Sequence, residues 1–111
     1  MDAGYDHLNR KMRSLLHCAL YRTTLRISCR DNGCRHTVSW EAVRVWWRFQ
    51  CKGWDDTLPG AENRFYCTKC WHGRQKVSRP RILITRDMPR ECHLPYPDER
   101  EWQRVISRYR S

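Results

Sequence analysis

The chain has 111 residues, with 22 Arg and Lys against 12 Asp and Glu, a formal net charge of +10 at pH 7, and 18 of those cations are arginine. That length holds one compact domain and excludes a large multidomain enzyme. A mean hydropathy of -0.91 implies a thin core, but six Trp, five Tyr and two Phe bring too much buriable area for a disordered chain, so a small domain with a staple is expected.

Residues 5–20 carry Tyr5, Leu8, Met12, Leu15, Leu16 and Ala19 at helical spacing, with Arg10, Arg13 and His17 opposite, which predicts an amphipathic packing helix. Residues 24–28 alternate into Cys29 as a half-buried strand, and a short strand over 36–38 follows Cys34. Ser39 has N-cap chemistry, so a helix is expected over 40–50. There Trp40, Ala42, Val43, Val45, Trp46, Trp47 and Phe49 leave only Glu41, Arg44 and Arg48 polar. Such a helix must be covered on both flanks or meet a partner. Gly53 to Gly60 reads as a loop, Arg64-Phe65-Tyr66 as a strand ending at Cys67, and 81–86 as the clearest strand. Pro89, Pro95 and Pro97 break the chain before a terminal helix over 97–110, where Pro97 suits the first positions and Asp98, Glu99 and Glu101 suit the dipole. Its docking face is Trp102, Val105, Ile106 and Tyr109. The expected fold class is α+β: one domain over 1–111, with a short antiparallel sheet in a core over 24–86, an inserted helix, and a helix at each end.

Seven cysteines are an odd number, which argues against a full set of disulfides. Asp2 and Asp6 stand where a positive n-region would be, and the apolar run at Leu15–Leu20 is short and interrupted. A cytoplasmic protein without a membrane partner is expected, in a reducing compartment where spaced cysteines more often bind metal than each other. Cys29 and Cys34 have four residues between them, Cys67 and Cys70 two, and 32 residues separate the pairs. Two tight turns can aim four sulfurs at one point. Four thiolates about 2.3 Å from a zinc ion fill its tetrahedron and leave no position for water. One structural zinc on Cys29, Cys34, Cys67 and Cys70 is therefore expected, contributing folding free energy directly. Gly33 and Gly73 are expected to give these turns backbone freedom. Cys18 and Cys51 read as small buried apolar residues, and Cys92-His93 as neighbours pointing apart rather than a second metal pair.

From Leu25 to about Arg74 the chain resembles a zinc ribbon, in particular a group of small bacterial zinc-ribbon proteins of uncharacterised function. Their form is an alternating strand, a cysteine pair followed by Arg or His, a helix, and a strand ending in Cys-x-x-Cys-Gly with a basic residue after it. The matching residues are Leu25, Ile27, Cys29, Cys34 and His36, then Phe65, Cys67, Cys70, Gly73 and Arg74. The first pair has four intervening residues where two are usual, which makes His36 the alternative ligand, and Trp71-His72 precede Gly73. The resemblance covers under half of the chain and implies a zinc-ribbon-like sheet. Ribbons serve in nucleic-acid binding, in transcription and translation machinery and in protein assembly, so membership does not select a function.

Charge points further. Arg100, Arg104 and Arg108 form a row on the terminal helix, and Arg44 and Arg48 lie on the inserted one. Guanidinium groups bond phosphate bidentately and stack on bases. A basic fold of this composition is expected to bind nucleic acid, DNA or RNA, in a regulatory capacity. Trp54, Trp71 and His72 are available to stack on unpaired bases, although Trp71 is rather expected to cover the core around the metal. The alternative is an adaptor or inhibitor that presents Trp40, Val43, Trp46 and Trp47 with the arginine-rich surface to an acidic protein. No enzyme is expected: the cysteines are committed, and neither a Gly-rich phosphate loop nor a nucleophile–His–carboxylate set is present. Asp55-Asp56 reads as a solvated turn.

Overall fold

A computed structural model of the chain describes residues 11–31, 33–34, 36–75 and 77–110. Ser14 opens the first helix: its backbone is extended and its hydroxyl accepts the His17 N–H at 3.1 Å, as N-cap serines do. Helix α1 (Leu15–Leu20) is thus shorter than the helix expected over 5–20. Residues 11–14 are not helical, because Ser14 bridges Thr57, and the N–H groups of Leu15 and Leu58 bond across to Asp56 and Arg13. Residues 5–10 lie outside the described residues. Met12, Leu15, Cys18 and Ala19 are all fully buried.

Strand β1 (Thr24–Cys29) runs through the middle of a three-stranded antiparallel sheet, flanked by β2 (Thr37–Glu41) and β3 (Pro80–Thr85). Leu25 pairs with Trp40 and Ile84, and Ile27 with Val38 and Ile82. Strand alternation places all six on one face, and that face joins the core formed with Val45, Trp46 and Phe49. Those three side chains come from α2 (Ala42–Lys52). The helix starts later than 40 because Ser39, Trp40 and Glu41 continue the ladder with β1, so Ser39 is not its cap. It stops at Gly53, whose left-handed φ of 67° lets its N–H reach the last carbonyls.

Two expectations fail between residues 53 and 67. The supposed loop over 53–60 runs into α3 (Leu58–Glu62), capped by the Thr57 hydroxyl, which accepts the Gly60 N–H at 3.2 Å, with Pro59 in its first turn. Arg64-Phe65-Tyr66 is not a strand; the chain turns there and enters α4 (Thr68–Arg74). The place beside β1 goes to β3 instead. Glu62 helps close the outer edge of β3: its carboxylate accepts the Ile82 N–H at 2.8 Å and faces the Arg30 guanidinium at 3.2 Å.

The last helix, α5 (Glu99–Arg110), begins after Asp98, whose carboxylate accepts the N–H groups of Arg100 and Glu101. It docks through Trp102 and Val105, with the Trp102 ring 5.3 Å from that of Trp46. Ile106 is half-buried, while Tyr109 is 46% exposed, its hydroxyl 3.5 Å from that of Tyr21. Among the described residues three strands and five helices make an α+β fold. Among the described residues no helix is long and apolar enough to cross a membrane.

Candidate metal centre

The two cysteine pairs meet at the end of the sheet where β1 finishes and β3 begins. Cys29 closes β1, its N–H bonded to the His36 carbonyl at 2.9 Å. The chain then turns: the Cys34 N–H reaches the Asp31 carbonyl at 3.0 Å, and the Asp31 carboxylate accepts the Gly33 N–H at 2.9 Å. On the other side the Cys67 N–H bonds the Ser78 carbonyl at 3.0 Å, which ties the start of α4 to the approach to β3. Cys67 is the N-cap of α4 and Cys70 lies three residues on. Residues three apart share a helix face, so a helical turn, not a strand end, aligns the second pair.

The four sulfurs lie within 4.8 Å of one another. Cys29 Sγ is 3.6 Å from Cys70 Sγ, and Cys34 Sγ is 3.6 Å from Cys67 Sγ. A tetrahedral ion with metal–sulfur bonds of about 2.3 Å requires sulfurs about 3.8 Å apart. The group fits that requirement, and it can hold one metal ion. Cys67 and Cys70 are buried, Cys29 and Cys34 half-buried.

The electrostatics also suit a cation. Burial raises the Cys29 thiol, but the Ser78 hydroxyl at 3.3 Å and the Asp31 N–H at 3.4 Å outweigh it and bring it down to about 7. Burial, reinforced by the three neighbouring sulfurs, pushes Cys70 up to about 12. Cys67 is also raised, first by burial. Crowded thiols of this kind resist ionisation until a positive charge stands between them, and a divalent ion supplies it.

His36 does not join the four. Its Nδ1 lies 3.7 Å from Cys67 Sγ, as a hydrogen-bond partner of that sulfur, a placement that orients a ligand from outside the coordination sphere. Nothing in the spacing of the cysteines pointed to Ser78, whose side chain and carbonyl serve both halves of the site. Gly73 does not supply backbone freedom: it sits inside α4 with open space where a Cβ would go, and the left-handed residue that closes the helix is Gln75, φ 51°. Cys18 is buried as expected, Cys51 is exposed, and Cys92 is half-buried. His93 lies edge-on to Trp40 at 5.8 Å. Trp71 is 44% exposed and does not seal the centre.

The arginines expected to meet a partner separate into two groups. Arg44 is held by its own chain: Nε donates to the Leu94 carbonyl and Nη2 to the Cys92 carbonyl, both at 2.6 Å, and the guanidinium lies 4.6 Å over the Tyr96 ring. It is therefore removed from the binding set. Arg48, Arg100, Arg104 and Arg108 are exposed, Arg104 beside Glu101 at 2.9 Å, a surface contact that contributes little.

Comparison with protein-family models, with curated proteins and with solved structures finds no match.

Proposed function

We propose that this is a small, non-enzymatic, zinc-ribbon-like protein of the cytoplasm that binds nucleic acid in a regulatory capacity, stapled by one structural zinc ion on Cys29, Cys34, Cys67 and Cys70. The observation that carries the nucleic-acid reading is the positive surface. The chain has a net charge of +10, arginines stand exposed on α2, α5, β3 and the connecting segments, and Glu62, Asp87 and Glu101 are each paired with an arginine. Such a field attracts phosphate and releases the counterions condensed on it. Zinc is proposed because a closed tetrahedron of thiolates suits a soft or borderline ion without redox chemistry. The protein-binding alternative is less favoured, because Trp46 is buried and Trp40, Val43 and Trp47 are half-buried against the core.

Two measurements test this function. Elemental analysis should find about one zinc per chain, and Cys67→Ser or Cys70→Ser should lose both the metal and the folded signal. Binding to duplex and single-stranded oligonucleotides should weaken with salt, with a log–log slope of about −0.9 or −0.7 per phosphate contact. A folded metal-free protein refutes the zinc, and no binding to either oligonucleotide at low salt refutes the nucleic-acid reading.

A further inference from the structure

Between Glu62 and Asp87 the chain contains no carboxylate, while Arg64, Lys69, Arg74, Lys76, Arg79, Arg81 and Arg86 give these 24 residues a charge of +7 out of the chain's +10. The same segment supplies the second half of the cysteine group. Two of its aromatic side chains remain outside the core: Tyr66 is 49% and Trp71 44% exposed, their rings edge-to-face at 6.4 Å. Tyr66 directly precedes Cys67 and Trp71 directly follows Cys70, so whatever fixes the two cysteines also fixes the two rings.

Cations flank the pair. Arg79 Nη1 donates to the Phe65 carbonyl at 3.0 Å, which sets its guanidinium against the backbone next to Tyr66. Lys69 and His72 are exposed on α4, between and beyond the two ring-bearing positions. The carboxylates nearest in sequence or across the turn are engaged, Glu62 with Arg30 and the Ile82 N–H, Asp31 with the Gly33 N–H.

Trp46, Phe49 and Phe65 pack into the core, whereas Tyr66 and Trp71 stay at the surface. An exposed aromatic pair in an acid-free, basic segment offers flat apolar faces and positive charge together. Unpaired nucleotides match both, with bases that stack on the rings and phosphates that meet the cations, whereas the bases of a duplex are already stacked on one another. We infer that Tyr66 and Trp71 form a stacking platform for single-stranded nucleic acid, with Lys69 and Arg79 contacting the adjoining phosphates. This rests on the nucleic-acid reading above and narrows it to unpaired strands and to the metal-centre end of the fold.

The test uses the full-length, metal-loaded protein, a fluorescein-labelled oligothymidine of about 15 nucleotides and a hairpin duplex of matching length, read by anisotropy. Trp71→Ala and Tyr66→Ala should each weaken oligothymidine binding about ten-fold, within the range of one lost base stack, and should weaken duplex binding less. Trp71→Phe should recover most of the loss. Lys69→Gln with Arg79→Gln should flatten the salt slope on oligothymidine by about 1.4, two contacts at about 0.7 each. In the unaltered protein, photocrosslinking to an oligonucleotide bearing 5-iodouracil should map to Tyr66 or Trp71, a readout independent of how any variant folds. If the oligonucleotide binds but Trp71→Ala and Tyr66→Ala stay within two-fold and the crosslinks map elsewhere, the platform is overturned while nucleic-acid binding stands. If neither oligonucleotide binds at low salt, both fail together.

Discussion

Arg44 offers the sharpest test of how this small fold is closed. Its guanidinium spans the carbonyls of Cys92 and Leu94 at 2.6 Å each and covers the Tyr96 ring, fixing the segment that carries buried Leu94 against α2. Hydrogen bonds from a charged donor contribute about 1.5–3 kcal/mol each, and a cation–π contact at a partly exposed site about 0.5–1 kcal/mol. Arg44 is only half-buried, so water recovers part of this, and Arg44→Ala should cost about 3–4 kcal/mol. In a domain of this size 1 kcal/mol shifts the melting temperature by about 4 °C, which places the variant about 12–16 °C below the parent. Arg44→Lys keeps the charge but cannot fork between two carbonyls, so it should fall roughly midway. Thermal and urea unfolding followed by circular dichroism measure both. At a temperature where both are folded, Arg44→Lys should bind nucleic acid as the parent does. Melting of both variants within about 2 °C of the parent would refute the clamp.

Cys51 is exposed and Cys18 is buried, its thiol pushed up to about 12 by burial, so iodoacetamide at pH 8 should label Cys51 first and Cys18 only on unfolding, as read by peptide mass spectrometry. Because folding raises the Cys18 value above 9.0, the folded state holds that proton more tightly. The stability this contributes is intact below pH 9 and shrinks as pH rises from 9 towards 12, by about 1.4 kcal/mol per pH unit, so Cys18→Ala should lose stability less steeply than the parent between pH 9 and 10.5 in urea titrations. At Gly60 an added Cβ would meet the Asp55 carboxylate, which already accepts the Thr57 N–H, and the Thr57 hydroxyl; Gly60→Ala should cost about 1–2 kcal/mol in urea unfolding, partly relieved by Asp55→Ala. Trp102→Ala should cost about 2–3 kcal/mol, less than the 3–5 kcal/mol of a fully buried ring, because the indole is half-buried against Trp46.

The α+β class, β1, β3 and α5 were legible because their signals are local: strand alternation into Cys29, the Ile82-Leu83-Ile84 run within 81–86, and Asp98 at a helix start. The boundary between β2 and α2 was not, because Ser39 has cap chemistry and only the cross-strand partners Arg26 and Leu25 hold Ser39 and Trp40 in the sheet. Phe65 and Tyr66 have strand propensity, yet β1 has just two sides, and β2 and β3 occupy them. The four cysteines could be grouped from spacing alone, since ligand spacing is a property of the chain. Their supporting atoms on Ser78 and His36 could not, because these arrive through tertiary contacts. Arg44 shows the same limit: sequence gives a charge on a helix, and only the fold reveals two carbonyls waiting for it.

The central position of β1 has a consequence for the order of assembly. Its pairing with β2 needs only the short turn between Ser28 and Thr37, but its pairing with β3 joins Ser28 to Arg81 across 53 positions. Closing so long a segment is slow, because its entropy is lost before any contact rewards it. A metal ion held on the four thiols would divide the task. With Cys29 and Cys70 already joined, only about 10 residues separate the clasp from Pro80, and the remaining closure cost falls by about 1.5 kcal/mol. On addition of metal to the unfolded protein, β1, β2 and α2 should thus form first, with β3 zipping on from the clasp. Metal supply would then govern how quickly each new chain leaves its aggregation-prone, open-edged state.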